Sequence, residues 1–421
     1  MGDVVDSVDL LSLNAEWHAR PGMQLAKGCR VVHVVTPRGR RILEGIGIPP
    51  DAGFTAREAR HHIAATPGFS VKWEGHTEVS NYTFAVPAEA GCDAFTAPAL
   101  GFLPAAAAEA VLSARQLGVR VDFLTAGADV EAGGYNEARR LFGEMPLYGG
   151  LMTDGNAAVW ADFRPDAEGF LRFLVVDISL TEPRMSRLVQ RLLDIETYRF
   201  LAVAALPVAR RTMERLDGLE PQLDRLMANL RSRAGNELEP LLREITHLAA
   251  EGEELVSSTA YRFAAARAYE DIVARRLADV REEVVPGYQR ITTFLNKSFR
   301  PAMRTCEAAA VRADGFTGRV SRAVNLLNTM VDMEQKRQNQ AILQSMEKQA
   351  ATQVRLQQAV EGFSVFAIAY YAVSLFGYML KALKGMGLPV PVEAATGVIV
   401  PVAIVFTALS VRHIKRRMHG D

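Results

Sequence analysis

Cysteine is nearly absent: Cys29, Cys92 and Cys306 are the only three in 421 residues. An odd, scattered set reads as reduced thiols in a cytosolic body and excludes a disulfide framework. Excess charge of either sign is absent too, with 48 basic against 48 acidic residues and no basic block before the C-terminal tail. Phosphate backbones need a positive footprint, so nucleic acid is not an expected partner. The chain also lacks GxxxxGK[ST], CxxC, HExxH and GxSxG, the spacings that cradle phosphates, hold zinc or raise a nucleophile. Gly45-Ile46-Gly47 runs into Ile48-Pro49-Pro50, which cannot open a helix as a dinucleotide loop must. Without a nucleophile–base pair or a cofactor loop, the expectation is a protein that is not an enzyme and takes no cofactor. The stretch MGDVVDSVDLLSLNAEWHARPG is acidic and has no uninterrupted apolar core, so it does not read as a signal peptide. Ser7 lies one place too far from Gly2 for the myristoylation pattern.

What the chain does contain is concentrated in its last quarter. From Val320 to Gly362 neither proline nor glycine interrupts a polar stretch, which predicts one very long helix. It runs directly into an apolar segment, Phe363–Leu380, FSVFAIAYYAVSLFGYML. Eighteen residues make about 27 Å of helix, nearly a bilayer core. After the turn KALKGMGLPVPVE comes a second uncharged segment, Ala394–Val411, containing Pro401, then the basic end RHIKRRMHGD. Two such runs joined by a Pro/Gly turn predict a transmembrane hairpin; the alternative is a buried hairpin in a soluble core. The turn carries Lys381 and Lys384, while the tail carries Arg412, Lys415, Arg416 and Arg417. Positive charge stays inside, so both termini are expected in the cytoplasm, with the chain crossing its membrane twice.

Ser364, Ala367, Tyr371, Ser374 and Tyr378 recur at alternating three- and four-residue steps and so share one stripe of the first apolar helix. Polar groups in a bilayer turn toward other helices or water. The stripe is therefore either a helix–helix seam or the lining of a pore. Upstream, Asn325, Asn328, Gln338, Asn339, Gln353 and Gln357 give the long helix a high amide content, suited to a solvated helix or to fixing register between subunits of a homo-oligomer.

The N-terminal part predicts an α+β fold, a mixed α/β-sheet cytoplasmic domain over residues 1–180. Cys29–Thr36 reads as a strand, Thr55–Ala65 as a helix with Thr55 and Glu58 in a capping box, and 69–74 with 78–86 as a hairpin turning at Gly75-His76. A helix over 104–117, a strand over 119–125 and a helix over 134–142 follow. Strands at 147–153, 157–164 and 170–177 then form a meander. At Thr181-Glu182-Pro183 a capping residue, an acid and a proline start a helix. A helical region over 181–317 is expected from there, then the long helix over 318–362 and the two-helix anchor with its tail over 363–417. Leu216, Leu219, Leu223, Leu226 and Leu230 form one stripe, and Leu238, Leu241, Ile245 and Leu248 another; they predict an antiparallel hairpin, with a kink or restart at Pro221. Further helices are expected over 261–284 and 288–312, with Gly315 and Gly318 marking a break.

Two clusters could carry chemistry. Glu16, Trp17, His18 and Arg20 form one; Trp73, Glu74, His76 and Glu78 form the other. His18, His76 and Glu78 are the candidate ligands for a divalent metal if the segments are neighbours. The alternative is a hairpin tip with cross-strand charge pairs. His61 and His62 point to different faces of the predicted helix. Asp194, Glu196, Arg199, Arg210 and Arg211 beside Tyr198 read as interhelical ion pairs.

EWHARP at 16–21, WEGHTEVSNYTF at 73–84, VWADFR at 159–164, LVQRLLDIETYR at 188–199, AMRTCE at 302–307 and VRLQQAVEGFSVFAIAYY at 354–371 resemble blocks of one bacterial membrane-anchored family, domain of unknown function 3422. The resemblance covers about residues 14–417 and implies two C-terminal spans; it implies no activity and no site residues. The order of domain, helical layer, long helix, span, short loop, span and basic tail also resembles CorA-type magnesium channels. Those carry Gly-Met-Asn where the first span ends, whereas this chain reads Phe376-Gly377-Tyr378-Met379-Leu380. The sequence thus favours a membrane-anchored, homo-oligomeric scaffold that binds a ligand or cytoplasmic partner, with an ion channel or transporter as the alternative.

Overall fold

A computed structural model describes residues 22–38, 61–87, 93–125, 134–232, 238–386 and 391–418. Its eight strands are β1 (Cys29–Pro37), β2 (His61–Ala65), β3 (Ser70–Gly75), β4 (Val79–Pro87), β5 (Leu117–Thr125), β6 (Tyr148–Met152), β7 (Ala157–Pro165) and β8 (Leu171–Asp177). The helices are α1 (Ala105–Ala114), α2 (Tyr135–Phe142), α3 (Glu182–Val203), α4 (Leu206–Ser232), α5 (Leu238–Asp279), α6 (Ile291–Gly385) and α7 (Val392–Met418). They fall into two compact units, Met1–Ser232 with Arg243–Val324, and Arg233–Leu242 with Asn325–Asp421.

The first unit is built on one sheet of order β2-β3-β4-β1-β5-β8-β7-β6. Every pairing is antiparallel except β5 with β8, so the sheet is mixed. Its central strands are apolar on both faces because helices cover both. Val31 and Val35 of β1 join a core with Met185, Leu188 and Leu192 of α3, while Val32 and Val34 join a core with Ala107 and Val111 of α1. A third cluster sets Trp160 and Leu174 against Ala138 and Phe142 of α2. A strand buried on both sides reads as a continuous hydrophobic run, as CRVVHVVT does.

Backbone crowding explains Gly149-Gly150 in β6. A Cβ on Gly149 would meet the Val159 carbonyl at 2.0 Å, and one on Gly150 the Glu283 carbonyl at 2.3 Å. The segment after α5 runs along that edge, with the Glu283 N–H donating to the Leu151 carbonyl at 2.7 Å and the Gly149 N–H to the Gln289 carbonyl at 2.9 Å. The outer edge of the sheet is thereby covered.

Several expectations are corrected. His61–Ala65 is a strand, since its backbone pairs with β3 from His61↔Glu74 to Ala65↔Ser70; the capping box at Thr55 and Glu58 lies outside the described residues. Thr181 precedes α3 as expected, but its hydroxyl makes no capping bond. Helix α4 does not restart at Pro221, because Leu219 and Leu223 on either side are both buried in one continuous face. The helices expected at 238–248 and 261–284 are one 42-residue helix, α5. Antiparallel packing of α4 on α5 puts Arg215 3.6 Å from Glu254. Gly315 and Gly318 do not break the chain: α6 runs through them for 95 residues. Phe316 and Val320, at 1% and 0% exposure, outweigh the ~1 kcal/mol that a helical glycine costs. At the start of α6 the Glu282 carboxylate accepts the N–H groups of Ile291 and Thr292 at 2.6 and 2.8 Å, satisfying donors that no helical carbonyl reaches.

In the second unit, α6 is the one helix among the described residues with an apolar stretch long enough to cross a membrane, and 6% of that stretch is buried. The apolar part of α7, Thr396–Ser410, is shorter. Phe363, Phe366 and Leu375 are 76%, 69% and 73% exposed.

Candidate functional site

A buried polar region of the first unit lies between the sheet and α3. Strand alternation creates it: Val71 of β3 enters the core near α1, so Lys72 and Glu74 turn to the other face. Pairing sets Lys72 opposite Thr83 of β4, and Thr83 opposite His33 of β1, in one row across three strands. His33 is 2% exposed, with Nδ1 2.8 Å from the Thr83 hydroxyl and Nε2 3.0 Å from the Thr197 hydroxyl of α3. Burial pushes its pKa down to about 4, against the pull of Glu74, so the ring is neutral at neutral pH.

Around this row runs a chain of alternating charges. Glu74 Oε1 lies 2.9 Å from Lys72 Nζ and 3.6 Å from His61 Nδ1. Burial works to raise the Glu74 pKa, but the Lys72 ammonium outweighs it and holds the carboxyl below its usual range. Lys72 also donates to Gln190 Oε1 at 3.4 Å, Gln190 donates to Asp194 at 2.7 Å, and Arg276 of α5 donates to Asp194 at 2.8 Å. Asp194 is pushed up, chiefly by burial, with Gln190 and Arg276 opposing. Tyr198 is pushed up to about 12 by burial, with Asp194 and Glu74 adding to it. The phenol is therefore a hydrogen-bond donor at any physiological pH.

The hairpin tip adds the candidates at its end. His76 Nε2 lies 3.1 Å from the Asn81 amide, and its ring meets Tyr198 edge-on at 6.2 Å. Glu78 Oε2 accepts from Arg262 of α5 at 2.9 Å. Glu78 Oε1 and Asn81 Oδ1 are buried acceptors without a hydrogen-bond partner among the described residues. His18 lies outside the described residues. Among the described residues no three His, Cys, Asp or Glu side chains are gathered as metal ligands. Of the residues expected in interhelical ion pairs around Tyr198, Asp194 does pair across helices, though with Arg276, whereas Glu196 pairs with Arg199 three residues along the same helix.

The segment Trp73–Glu78 pointed to half of this cluster. Lys72, His33, Arg262 and Arg276 were missed; the one available signal was the polar phase of Lys72 and Glu74, alternating with Val71 and Trp73 along β3. A separate cavity of about 520 Å3 opens between α5 and α6, with Phe263, Ala266 and Met303 among its lining residues and Glu270 and Glu307 beside them. Cys306 in its wall is free and buried, its thiol pushed up by burial and by Glu270. Cys29 is also free and buried, while Cys92 lies outside the described residues.

In the second unit, coverage differs from residue to residue along both apolar helices. The half-buried or buried positions of α7 are Thr396, Ile399, Ala403, Thr407 and Ser410, whereas Gly397 is exposed. In the apolar part of α6 the deeply buried position is Ala369, at 3% exposure, while Tyr371 and Tyr378 are 72% exposed and Ser364 is exposed. Ser374 is half-buried.

Fold and site together define an α+β body with a buried ionic network, followed by a polar helix that turns apolar. The family described as protein of unknown function (DUF3422) matches residues 11–418, and the chain belongs to that family. No curated protein matches the chain.

Proposed function

We propose that this protein is a membrane-anchored scaffold whose cytoplasmic body binds a small polar ligand or a protein partner beside the bilayer. The observation that carries the reading is the exposure of the apolar part of α6. A core helix of a soluble protein would be mostly covered, yet 6% of this stretch is buried. Leaving side chains such as Phe363 and Leu375 in water forfeits about 1.5–3 kcal/mol each; a bilayer removes that cost. The second apolar segment, within α7, completes a two-helix hairpin whose return leg ends at the basic tail. Positive charge at Arg412, Lys415, Arg416 and Arg417 keeps that tail, and the body, in the cytoplasm of a bacterial inner membrane.

The body binds rather than catalyses in this reading. The charged side chains of its network are spent on one another, Lys72 on Glu74 and Arg276 on Asp194, which leaves no free acid–base pair to move a proton. Glu78 Oε1 and Asn81 Oδ1 are suited to accept from a donor-bearing ligand at the hairpin tip. A second reading, an ion pathway without the Gly-Met-Asn signature, draws on the outward hydroxyls of Tyr371 and Tyr378.

The test is a pair of fusions carrying a reporter active only in the cytoplasm. Fused after Asp421 it is active, and inserted at Gly385 it is silent. The reverse pattern overturns the orientation, and activity at both sites overturns the hairpin.

A further inference from the structure

Along the polar part of α6, Leu343, Met346, Ala350, Gln353, Gln357 and Val360 follow alternating three- and four-residue steps. The same steps continue without a phase break into Ser364, Ala367, Tyr371, Ser374 and Tyr378. The result is one stripe, about 50 Å long at 1.5 Å per residue, that crosses from the polar to the apolar part of a single helix. It is largely uncovered: Leu343 is 64%, Met346 59%, Val360 61%, Tyr371 72% and Tyr378 72% exposed, and only Ser374 is half-buried.

The opposite side of the helix is already assigned. Two residues from each neighbouring stripe position, about 160° around the axis, come Lys348, Arg355, Gly362 and Ala369. Lys348 and Arg355 are solvated charges, and Ala369 is buried to 3%. The line Thr396, Ala403, Thr407 and Ser410 of α7 is the matching covered face in this unit. The covered side of the apolar part of α6 is thus the Ala369 side, opposite the stripe.

We infer that this stripe is a parallel, in-register docking surface for α6 of a second copy of this chain. The inference rests on the membrane reading above, because the bilayer is what selects the occupant. Two copies anchored in one membrane point the same way, and each must place Phe363 at the bilayer boundary. Height and direction are then fixed before the helices touch, and every stripe residue meets its own counterpart. The residues suit such self-pairing. Leu343, Met346 and Val360 bury apolar surface, and alternating three- and four-residue spacing keeps them facing. Gln353 and Gln357 each carry both donor and acceptor, so an amide satisfies its twin. Within the bilayer Ser364 already bonds the Val360 carbonyl at 2.9 Å, while the Tyr371 and Tyr378 hydroxyls gain a partner where lipid offers none. A different protein would need its own stripe switching from polar to apolar at the same depth.

The experiment uses the full chain in native membranes, with Cys29, Cys92 and Cys306 replaced by Ser and one cysteine introduced at a time. On mild oxidation, Leu343→Cys, Gln353→Cys and Ser364→Cys run mainly as disulfide-linked dimers, and Lys348→Cys and Arg355→Cys remain mainly monomeric. Equal linkage on both faces, or linkage at Lys348 and Arg355 alone, overturns the stripe. Light scattering of the unaltered chain in detergent reads the same claim without substitutions: the protein mass is a multiple of 46.1 kDa, and a monomer overturns it. An alkaline wash of the same membranes separates the two readings. A chain that stays in the pellet without linkage at the stripe loses the docking surface and keeps the anchor; one that washes off loses the anchor.

Discussion

His33 on β1 and Thr197 on α3, 164 residues apart in sequence, meet at 3.0 Å and lock the sheet to the helix above it. The other ring nitrogen is held by Thr83 at 2.8 Å, and burial, not these hydroxyls, is what disfavours the charged ring. The unfolded histidine takes up a proton near pH 6.5, whereas the folded one resists until about pH 4 because it is buried. Its contribution to stability is therefore complete above pH 6.5 and is lost as pH falls through that window. The loss amounts to about 3 kcal/mol. Urea unfolding of the detergent-solubilised chain between pH 7 and 4 measures it. His33→Gln flattens the slope between pH 6.5 and 4; an unchanged slope would place the titration elsewhere.

Lys72 and Glu74 test the ionic network. Their side chains are 5% and 12% exposed and 2.9 Å apart. Lys72→Met leaves a buried carboxylate beside uncharged groups and costs about 3–5 kcal/mol. Lys72→Met with Glu74→Leu together restores most of that loss, since an apolar pair has no charge to desolvate. Additive losses in the double variant would show that the pair is not coupled.

Helix α6 depends at its start on one carboxylate. Glu282→Ala removes the acceptor of two N–H groups and lowers stability by about 1–2 kcal/mol. Glu282→Gln keeps one acceptor and loses less. Hydrogen exchange at Ile291 and Thr292 reads the effect locally, and unchanged protection there would contradict the capping role.

The legible parts of this molecule were those in which neighbouring residues carry the information. The β-branched run around Val31–Val35, the leucine line from Leu216 to Leu230 and the apolar segment from Phe363 each announce an element through local periodicity. The helix at Thr181 was visible from Pro183, although the threonine hydroxyl turned out not to cap it. His61–Ala65 was not legible as a strand: it has a single β-branched residue, Ile63, and is extended because β3 pairs with it. Gly315 and Gly318 looked like a break because glycine weakens helices, and the packing of Phe316 decides otherwise. The candidate site was half visible for the same reason. Glu74, His76 and Glu78 are adjacent in sequence, but Lys72, His33, Asp194 and Arg276 become neighbours only through strand pairing and helix packing across long separations.

The central claim is that the apolar part of α6 holds the protein in a membrane, and alkaline extraction of the expressed full chain tests it most directly. Membranes washed at high pH retain integral proteins and release those bound at the surface. The account predicts that the full chain stays in the washed pellet and that a chain ended at Gly362 appears in the supernatant, folded. A full chain released by the wash, or a truncated chain that remains in the pellet, would contradict it.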